Sequence, residues 1–540
     1  MKKKIISIIF TLFFASIILL SCSSIKQPKS VAQIPDFSDD DIANLEIERI
    51  HEFMEDKAVY ALWRANLLGN KAVIDECEEK VRNLMKASID EKKYFDANRF
   101  AVSLKALNFS VDSETEKLIQ NGILQNLPAA KNNKAPSKIS DCVNATATIW
   151  VDRGVKIRYG AGYADIIIGS GFFIDERGYL ITNYHVIDSM VNPDYEGFSR
   201  LYIKLYEDMD TKIPAKVVGY DKMLDLALLK VELEPNYVLN LGSSSELSVG
   251  DRVLAIGSPV GLEGTLTSGI VSSSDRKLLT LGNVFQIDAA VNSGNSGGPL
   301  IDEKMNVQAI IFAGMLQYQG LNFAIPVEYL KQELAALYNE NQIIHPWIGA
   351  FGKTFKSKSN KSGLEILYVM PGSPSHLAGL KEGDVLKAVS GKTITSLEDF
   401  QYTMLSYEPG TILTFEYDKK DGENFIPENV NIYLDERPEN PMEIIYNSDY
   451  ISNAFYPLFG MKLVSADEMN RRTFIVKDVL KNTAAEELHF SNDDVITINT
   501  IQIDKNTGIL YAQIYAKRKV KGFLDVGMLM QTQLDSPYIF

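Results

Sequence analysis

Cysteine is nearly absent: the chain has three in 540 residues, with no Cys-x-x-Cys pair and no Cys/His cluster. That excludes a disulfide framework and a zinc site of ordinary spacing, and no metal or cofactor is expected. Histidine is almost as scarce, with five, so imidazole chemistry has few candidates. Positive charge is in deficit, since 55 Lys and Arg against 70 Asp and Glu leave a formal net charge of −15. A protein that grips phosphates needs the opposite sign, so nucleic-acid partners are excluded. Between Asp39 and Asn126 proline is missing, and Gly69 is the sole glycine before Ser110. What remains, 46% hydrophobic and 23% charged residues, is ordinary for globular protein, and the length predicts several domains.

The first residues stand apart. Lys2, Lys3 and Lys4 precede an apolar run from Ile5 to Leu20, followed by Ser21-Cys22. Residues 1–22 resemble a bacterial lipoprotein signal, which implies lipidation at Cys22 and a chain exported and anchored by that lipid to a membrane of the cell envelope. An ordinary secretory signal and an uncleaved anchor are the alternatives, and each also exports the chain. Residues 23–37, polar with Pro28 and Pro35, read as a tether. In residues 38–130 the spacing of Val59, Leu62, Leu67, Val73, Val81, Leu84 and Met85 predicts amphipathic helices. They form either a short tetratricopeptide-like array or a small bundle, and no convincing 34-residue period distinguishes the two. Cys77 and Cys142 read as small buried apolar residues, with a single disulfide as the alternative.

From residue 141 the texture becomes β-rich, with short runs such as Ile166-Ile167-Ile168 and Val253-Leu254-Ala255-Ile256 between glycine-containing turns. It ends near Pro326, before an amphipathic helix over 327–338. Three segments inside this region carry chemistry: Thr182-Asn183-Tyr184-His185, Asp225-Leu226-Ala227-Leu228-Leu229, and Asn292-Ser293-Gly294-Asn295-Ser296-Gly297-Gly298. A serine hydroxyl needs a base with a nearby pKa, and His185 is the one histidine in the β-rich region. Asp225 stands at the mouth of an apolar strand, where a carboxylate needs a partner. An imidazole N–H satisfies it, and the carboxylate then fixes the tautomer that faces serine. Asp221, four residues upstream, is a rival in a more polar stretch. The glycines let the backbone turn so that N–H groups of Gly294, Ser296 and Asn295 meet a developing oxyanion.

The order His, Asp, Ser resembles trypsin-like serine proteases, and the closer resemblance is to the HtrA/Deg family. It rests on Gly169-Ser170-Gly171-Phe172-Phe173-Ile174-Asp175, Thr182-Asn183-Tyr184-His185-Val186, Asp225-Leu226-Ala227-Leu228, Gly257-Ser258-Pro259, Gly294-Asn295-Ser296-Gly297-Gly298 and Asn322-Phe323-Ala324-Ile325-Pro326. The resemblance implies an all-β double-barrel, chymotrypsin-like protease domain over 141–338, with His185 as base, Asp225 as orienter and Ser296 as nucleophile. It implies a specificity pocket lined by Ile311, Phe312 and Ala313 and by the loop before Asn322, suited to small or medium apolar side chains. Asn295 replaces the aspartate that digestive relatives carry there, so regulation by loop ordering is expected in place of propeptide removal. Homo-oligomers, trimeric or larger, are a family analogy.

The last third repeats itself. Val369-Met370-Pro371-Gly372-Ser373-Pro374 leads to Gly383-Asp384-Val385-Leu386, and Val479-Leu480-Lys481-Asn482-Thr483-Ala484 leads to Asp493-Asp494-Val495-Ile496 at the same spacing. Residues 343–437 resemble a PDZ domain, an α+β unit in which Trp347, Ile348, Gly349 and Ala350 form a peptide carboxylate-binding loop. Residues 442–540 are a degenerate PDZ-like copy in which His489 and Asp493 replace Gly379 and Gly383. The expected function is an envelope serine endopeptidase acting on unfolded or damaged polypeptides, with peptide C-termini recognised by the PDZ domain. A non-cleaving chaperone or holdase and a peptide-binding scaffold are the alternatives.

Overall fold

The computed structural model describes residues 25, 27–128, 132–258, 264–278, 281–314, 321–339, 342–356, 362–466, 472–520 and 523–540. The lipidation site expected at Cys22 lies outside the described residues. Among the described residues no helix is long and apolar enough to cross a membrane.

The proline-free stretch folds into the helices Asp40–Asp56, Ala58–Leu68, Lys71–Asp90, Tyr94–Ala106 and Ser113–Leu124. Asp39, Asn70 and Asp112 cap three of them by accepting backbone N–H groups of the first turn. Their apolar faces close over a core containing Ile50, Leu62, Trp63, Cys77, Val81 and Leu104. This layer also packs on the first C-terminal repeat: the Trp63 indole donates to the Asn431 carbonyl at 2.8 Å, and Ile412 N–H donates to Ser103 Oγ at 2.9 Å. Cys77 and Cys142 are both free thiols and both buried.

Twelve strands then form two closed six-stranded barrels. The first comprises β1 (Thr146–Arg158), β2 (Ala161–Asp175), β3 (Tyr179–Thr182), β4 (Arg200–Leu205), β5 (Asp208–Asp221) and β6 (Leu226–Val231), in the order β1-β2-β3-β6-β5-β4. The second comprises β7 (Arg252–Gly257), β8 (Thr265–Arg276), β9 (Val284–Ile287), β10 (Pro299–Ile301), β11 (Val307–Gly314) and β12 (Asn322–Pro326), in the order β10-β11-β12-β9-β8-β7. Leu226 to Leu229 in β6 are all fully buried, as a strand with both faces covered requires. Leu226 and Leu228 join Phe172, Ile181, Ile256, Ile310 and Ile325 in a core shared by both barrels, while Ala227 and Leu229 fill the first barrel alone. The helix Val327–Asn339 follows β12 directly.

Each C-terminal repeat is an antiparallel sheet with short helices. The first uses Ala350–Lys356, Ser362–Val369, Val385–Val389, Ile412–Asp421 and Asn424–Tyr433; the second uses Met461–Ser465, Thr473–Val479, Val495–Asp504, Ile509–Val520 and Phe523–Gln533. The duplication reaches the backbone. Gly372, Gly379 and Gly383 have positive φ (80°, 89° and 93°), and so do their counterparts Asn482, His489 and Asp493 (60°, 57° and 69°). The second repeat keeps the left-handed turns after losing the glycines that make them cheap.

Candidate active site

His185 sits in the first turn of the helix Tyr184–Val191, where backbone N–H groups lack helical partners. Asp225 answers that deficit. Its Oδ1 accepts the His185 backbone N–H at 2.8 Å, and its Oδ2 lies 2.8 Å from His185 Nδ1. One carboxylate therefore caps the helix, where the dipole favours negative charge, and orients the ring. The Asp225 side chain is 12% exposed and that of His185 47%, so the ring presents its far edge to solvent while its anchor is withdrawn. Asn183, fully buried, donates its amide to the Asp225 carbonyl at 2.8 Å. Asp225 itself has φ +54°, a left-handed conformation rare outside glycine.

Asp221 does other work. Its Oδ1 accepts Met223 N–H at 2.7 Å and Leu224 N–H at 3.1 Å, and so builds the turn that presents Asp225. Its Oδ2 lies 2.9 Å from Nε2 of His345, in the segment entering the first repeat. Asp221, Glu333 and His345 are all buried and each brings a ligand-type atom within 4.8 Å of the others. Both Asp221 oxygens are occupied by protein groups, and its bond to His345 makes the pair a clamp between β5 and the linker.

The nucleophile loop forms a turn closed by Asn295 N–H on the Asn292 carbonyl at 3.1 Å, with Gly294 at φ +103°. A turn with positive φ at its third residue and not at its second is of type II. Among the described residues neither Gly294 N–H nor Ser296 N–H has a hydrogen-bond partner. Both are left free to donate. Asn295 departs from expectation: its N–H, expected among the oxyanion donors, is consumed in closing the turn. Gly297, at φ +84°, lets the loop press against the first barrel, since a Cβ there would lie 2.3 Å from the Ser170 carbonyl and from Thr182 Oγ1. Ser170 binds the loop twice, through its N–H to the Ser296 carbonyl (2.7 Å) and its hydroxyl to the Gly294 carbonyl (2.6 Å).

The Ser296 hydroxyl donates to the Phe312 carbonyl at 3.3 Å. Among the described residues no hydrogen bond joins it to His185. The two segments are nevertheless packed together, because a Cβ on Gly169 would fall 2.7 Å from Val186 and 3.2 Å from the Ser296 carbonyl. Ile311, expected to line the specificity pocket, is instead fully buried inside the second barrel with Val253, Leu300 and Ala324, because strand alternation points it inward. Phe312 is half-buried beside the serine. The side chain of Ala313 and residues 315–320 of the loop before Asn322 lie outside the described residues.

In the first repeat, Trp347, Ile348 and Ala350 are buried and Gly349 has φ +79°. The N–H groups of Gly349 and Ala350 converge on one oxygen, the main-chain oxygen of Phe540. In the second repeat the matching Gly460 N–H caps the helix Ile451–Phe459 by donating to the Tyr456 carbonyl at 2.9 Å, so that loop has spent the donor.

Family models match along most of the chain: a trypsin-like peptidase domain over 169–310, a PDZ domain over 365–409, a TP0546 family PDZ domain over 442–534 and a domain of unknown function over 41–122. A "Probable periplasmic serine endoprotease DegP-like" of Bartonella henselae is 34% identical over 359 residues, covering 64% of this chain and 69% of that protein. A protein of the same name in Chlamydia trachomatis is 34% identical over 260 residues, 46% of this chain and 50% of that one. The chain thus spans about half the length of several such relatives. A solved HtrA-type protease, AlgW with a decapeptide, aligns at 25% identity over 56% of this chain and 98% of that one, with a TM-score of 0.46.

Proposed function

The chain belongs to the HtrA/Deg family of trypsin-like serine proteases, and from that premise we propose that it cuts unfolded or damaged polypeptides in the cell envelope through Ser296, His185 and Asp225. The carrying observation is the two-point grip of Asp225 on His185, through the ring and through the helix N–H. That grip leaves Nε2 as the free base. For attack, the Ser296 hydroxyl turns from the Phe312 carbonyl to Nε2 and gives up its proton as Oγ adds to the scissile carbonyl. Catalytic hydrogen bonds of this kind commonly tighten only when substrate arrives. The N–H groups of Gly294 and Ser296 receive the oxyanion, the imidazolium returns its proton to the leaving amine, and water repeats the cycle on the acyl-enzyme.

The relatives named periplasmic support an envelope location. We place the chain there as a lipid-anchored homo-oligomer, with the first PDZ unit selecting peptide C-termini and apolar residues preferred before the cut. Fluorophosphonate labelling with mass-spectrometric mapping, alongside casein turnover, tests the assignment. Label is expected on Ser296, and Ser296→Ala should lower kcat by roughly 10⁴ to 10⁶. Absence of label on the folded protein, with casein turnover equal in Ser296→Ala, would favour a holdase.

A further inference from the structure

The groove of the first PDZ unit is already filled. Residues 538–540 lie antiparallel to the strand Ala350–Lys356, with Phe351 and Ile539 as bridge partners. Phe540 N–H donates to the Ala350 carbonyl at 2.9 Å, and Gly352 N–H donates to the Tyr538 carbonyl at 3.0 Å. The Phe540 main-chain oxygen accepts from Gly349 N–H at 3.0 Å and from Ala350 N–H at 2.9 Å. Strand addition to a sheet edge, with an oxygen seated in a loop of N–H groups, is how such domains take peptide ligands. The side chain completes the likeness: Phe540 is 5% exposed, sunk in the core of the PDZ unit with its ring centroid 4.7 Å from that of Phe400.

The approach to the groove is also fixed. Gln401 donates to the Pro537 carbonyl at 2.8 Å, and the Arg437 guanidinium holds the Asp535 carboxylate and the Ser536 and Ile539 carbonyls. Ile539 faces the other way and is 1% exposed, in a core that the second repeat shares with Trp347, Phe351, Leu367 and Met370 of the first. Tyr538 sits under Lys277 of the protease domain, with Nζ 5.1 Å from the ring centroid. Three consecutive side chains thus tie together the first PDZ unit, the core it shares with the second repeat, and the protease domain.

We propose that residues 538–540 are a built-in ligand of the first PDZ groove, held in cis, which an incoming peptide with an aromatic or large apolar C-terminal residue must displace. Displacement also withdraws Ile539 from the core shared by the two repeats and Tyr538 from Lys277, so peptide binding loosens the second repeat from the first and from the protease domain. The inference rests on reading the groove as a peptide site, as proposed above.

The test is fluorescence polarisation with N-terminally labelled Ser-Pro-Tyr-Ile-Phe, free carboxylate, against the full chain, Phe540→Ala and a deletion of 537–540, with thermal melts to confirm folding. A tethered ligand acts at high effective concentration, so both variants should bind the peptide roughly tenfold more tightly, or better, than the unaltered chain. Equal affinity in all three overturns occupancy in cis and leaves the groove reading standing. No binding to any of them removes the groove reading, and the inference with it. Hydrogen exchange on the unaltered chain gives a readout independent of variant folding. Excess unlabelled peptide should speed exchange in 534–540, and unchanged exchange under saturating peptide overturns the proposal.

Discussion

At Asp225 a left-handed backbone, a helix cap and a ring partner coincide in one residue. Each oxygen has its own N–H, so the carboxylate resists both rotation and withdrawal. Asp225→Asn keeps the shape and alters the chemistry. An amide that still accepts the helix N–H through its oxygen turns its NH₂ toward Nδ1, which then becomes the acceptor, and the proton moves to the nitrogen that should receive the serine hydrogen. The expected result is a fall in kcat of about 10⁴ with the melting temperature nearly unchanged. A loss below tenfold in casein turnover would remove Asp225 from the proposed triad. Gly294 shows the complementary economy: one residue at φ +103° sets the peptide that carries a proposed oxyanion donor. The same turn explains why Asn295, its neighbour, is no donor.

Elements couple to the site through the clamp at Asp221. The turn from β5 to β6 is shaped by Asp221, and His345 reaches Asp221 from the linker to the first PDZ unit. Asp221→Ala removes the one oxygen that accepts both turn N–H groups and strands a buried imidazole. Breaking a buried pair on one side typically costs about 3–5 kcal/mol. Urea denaturation should show a loss of that order, together with reduced kcat as the turn carrying Asp225 loosens. A loss under about 1 kcal/mol would show that the clamp holds nothing. This is also where sequence reading reached its limit. The barrels, the helix after Pro326, the duplicated repeat and the meeting of Asp225 with His185 are legible because each is written in contiguous residues: strand alternation, a glycine-rich turn, a carboxylate before four apolar residues. The Asp221–His345 pair, the Trp63 bond to Asn431 and the seat of Phe540 join residues more than a hundred positions apart, and no local periodicity records them. Ile311 departs from the expected pocket for a related reason: membership of a strand does not say which of its alternating side chains faces the barrel interior.

Across the whole molecule, protons tie the units to a common stability limit. Cys77 in the helical layer and Cys142 before the first barrel are fully buried, and burial pushes both thiols up to about 11 from an ordinary 9.0. Burial likewise raises Tyr417 and Tyr433 of the first PDZ unit to about 12, and lifts Tyr338 beside the barrels and Tyr456 in the second repeat further still. The sign is the same everywhere. In the unfolded chain these groups ionise near their ordinary values, so between pH 9 and about 12 the unfolded state holds fewer protons than the folded one. Stability contributed by the buried neutral forms is therefore complete below pH 9 and is lost as pH rises through the folded values, at up to about 1.4 kcal/mol per pH unit for each proton. Thermal midpoints should hold level from pH 7 to about 8.5 and fall steeply above 9. Cys77→Ala should make that fall shallower between pH 9 and 11, although it lowers the midpoint at neutral pH through the cavity it leaves. Midpoints that stayed flat or rose through pH 9 to 11 would mean that these groups ionise as readily in the folded protein as in the unfolded one.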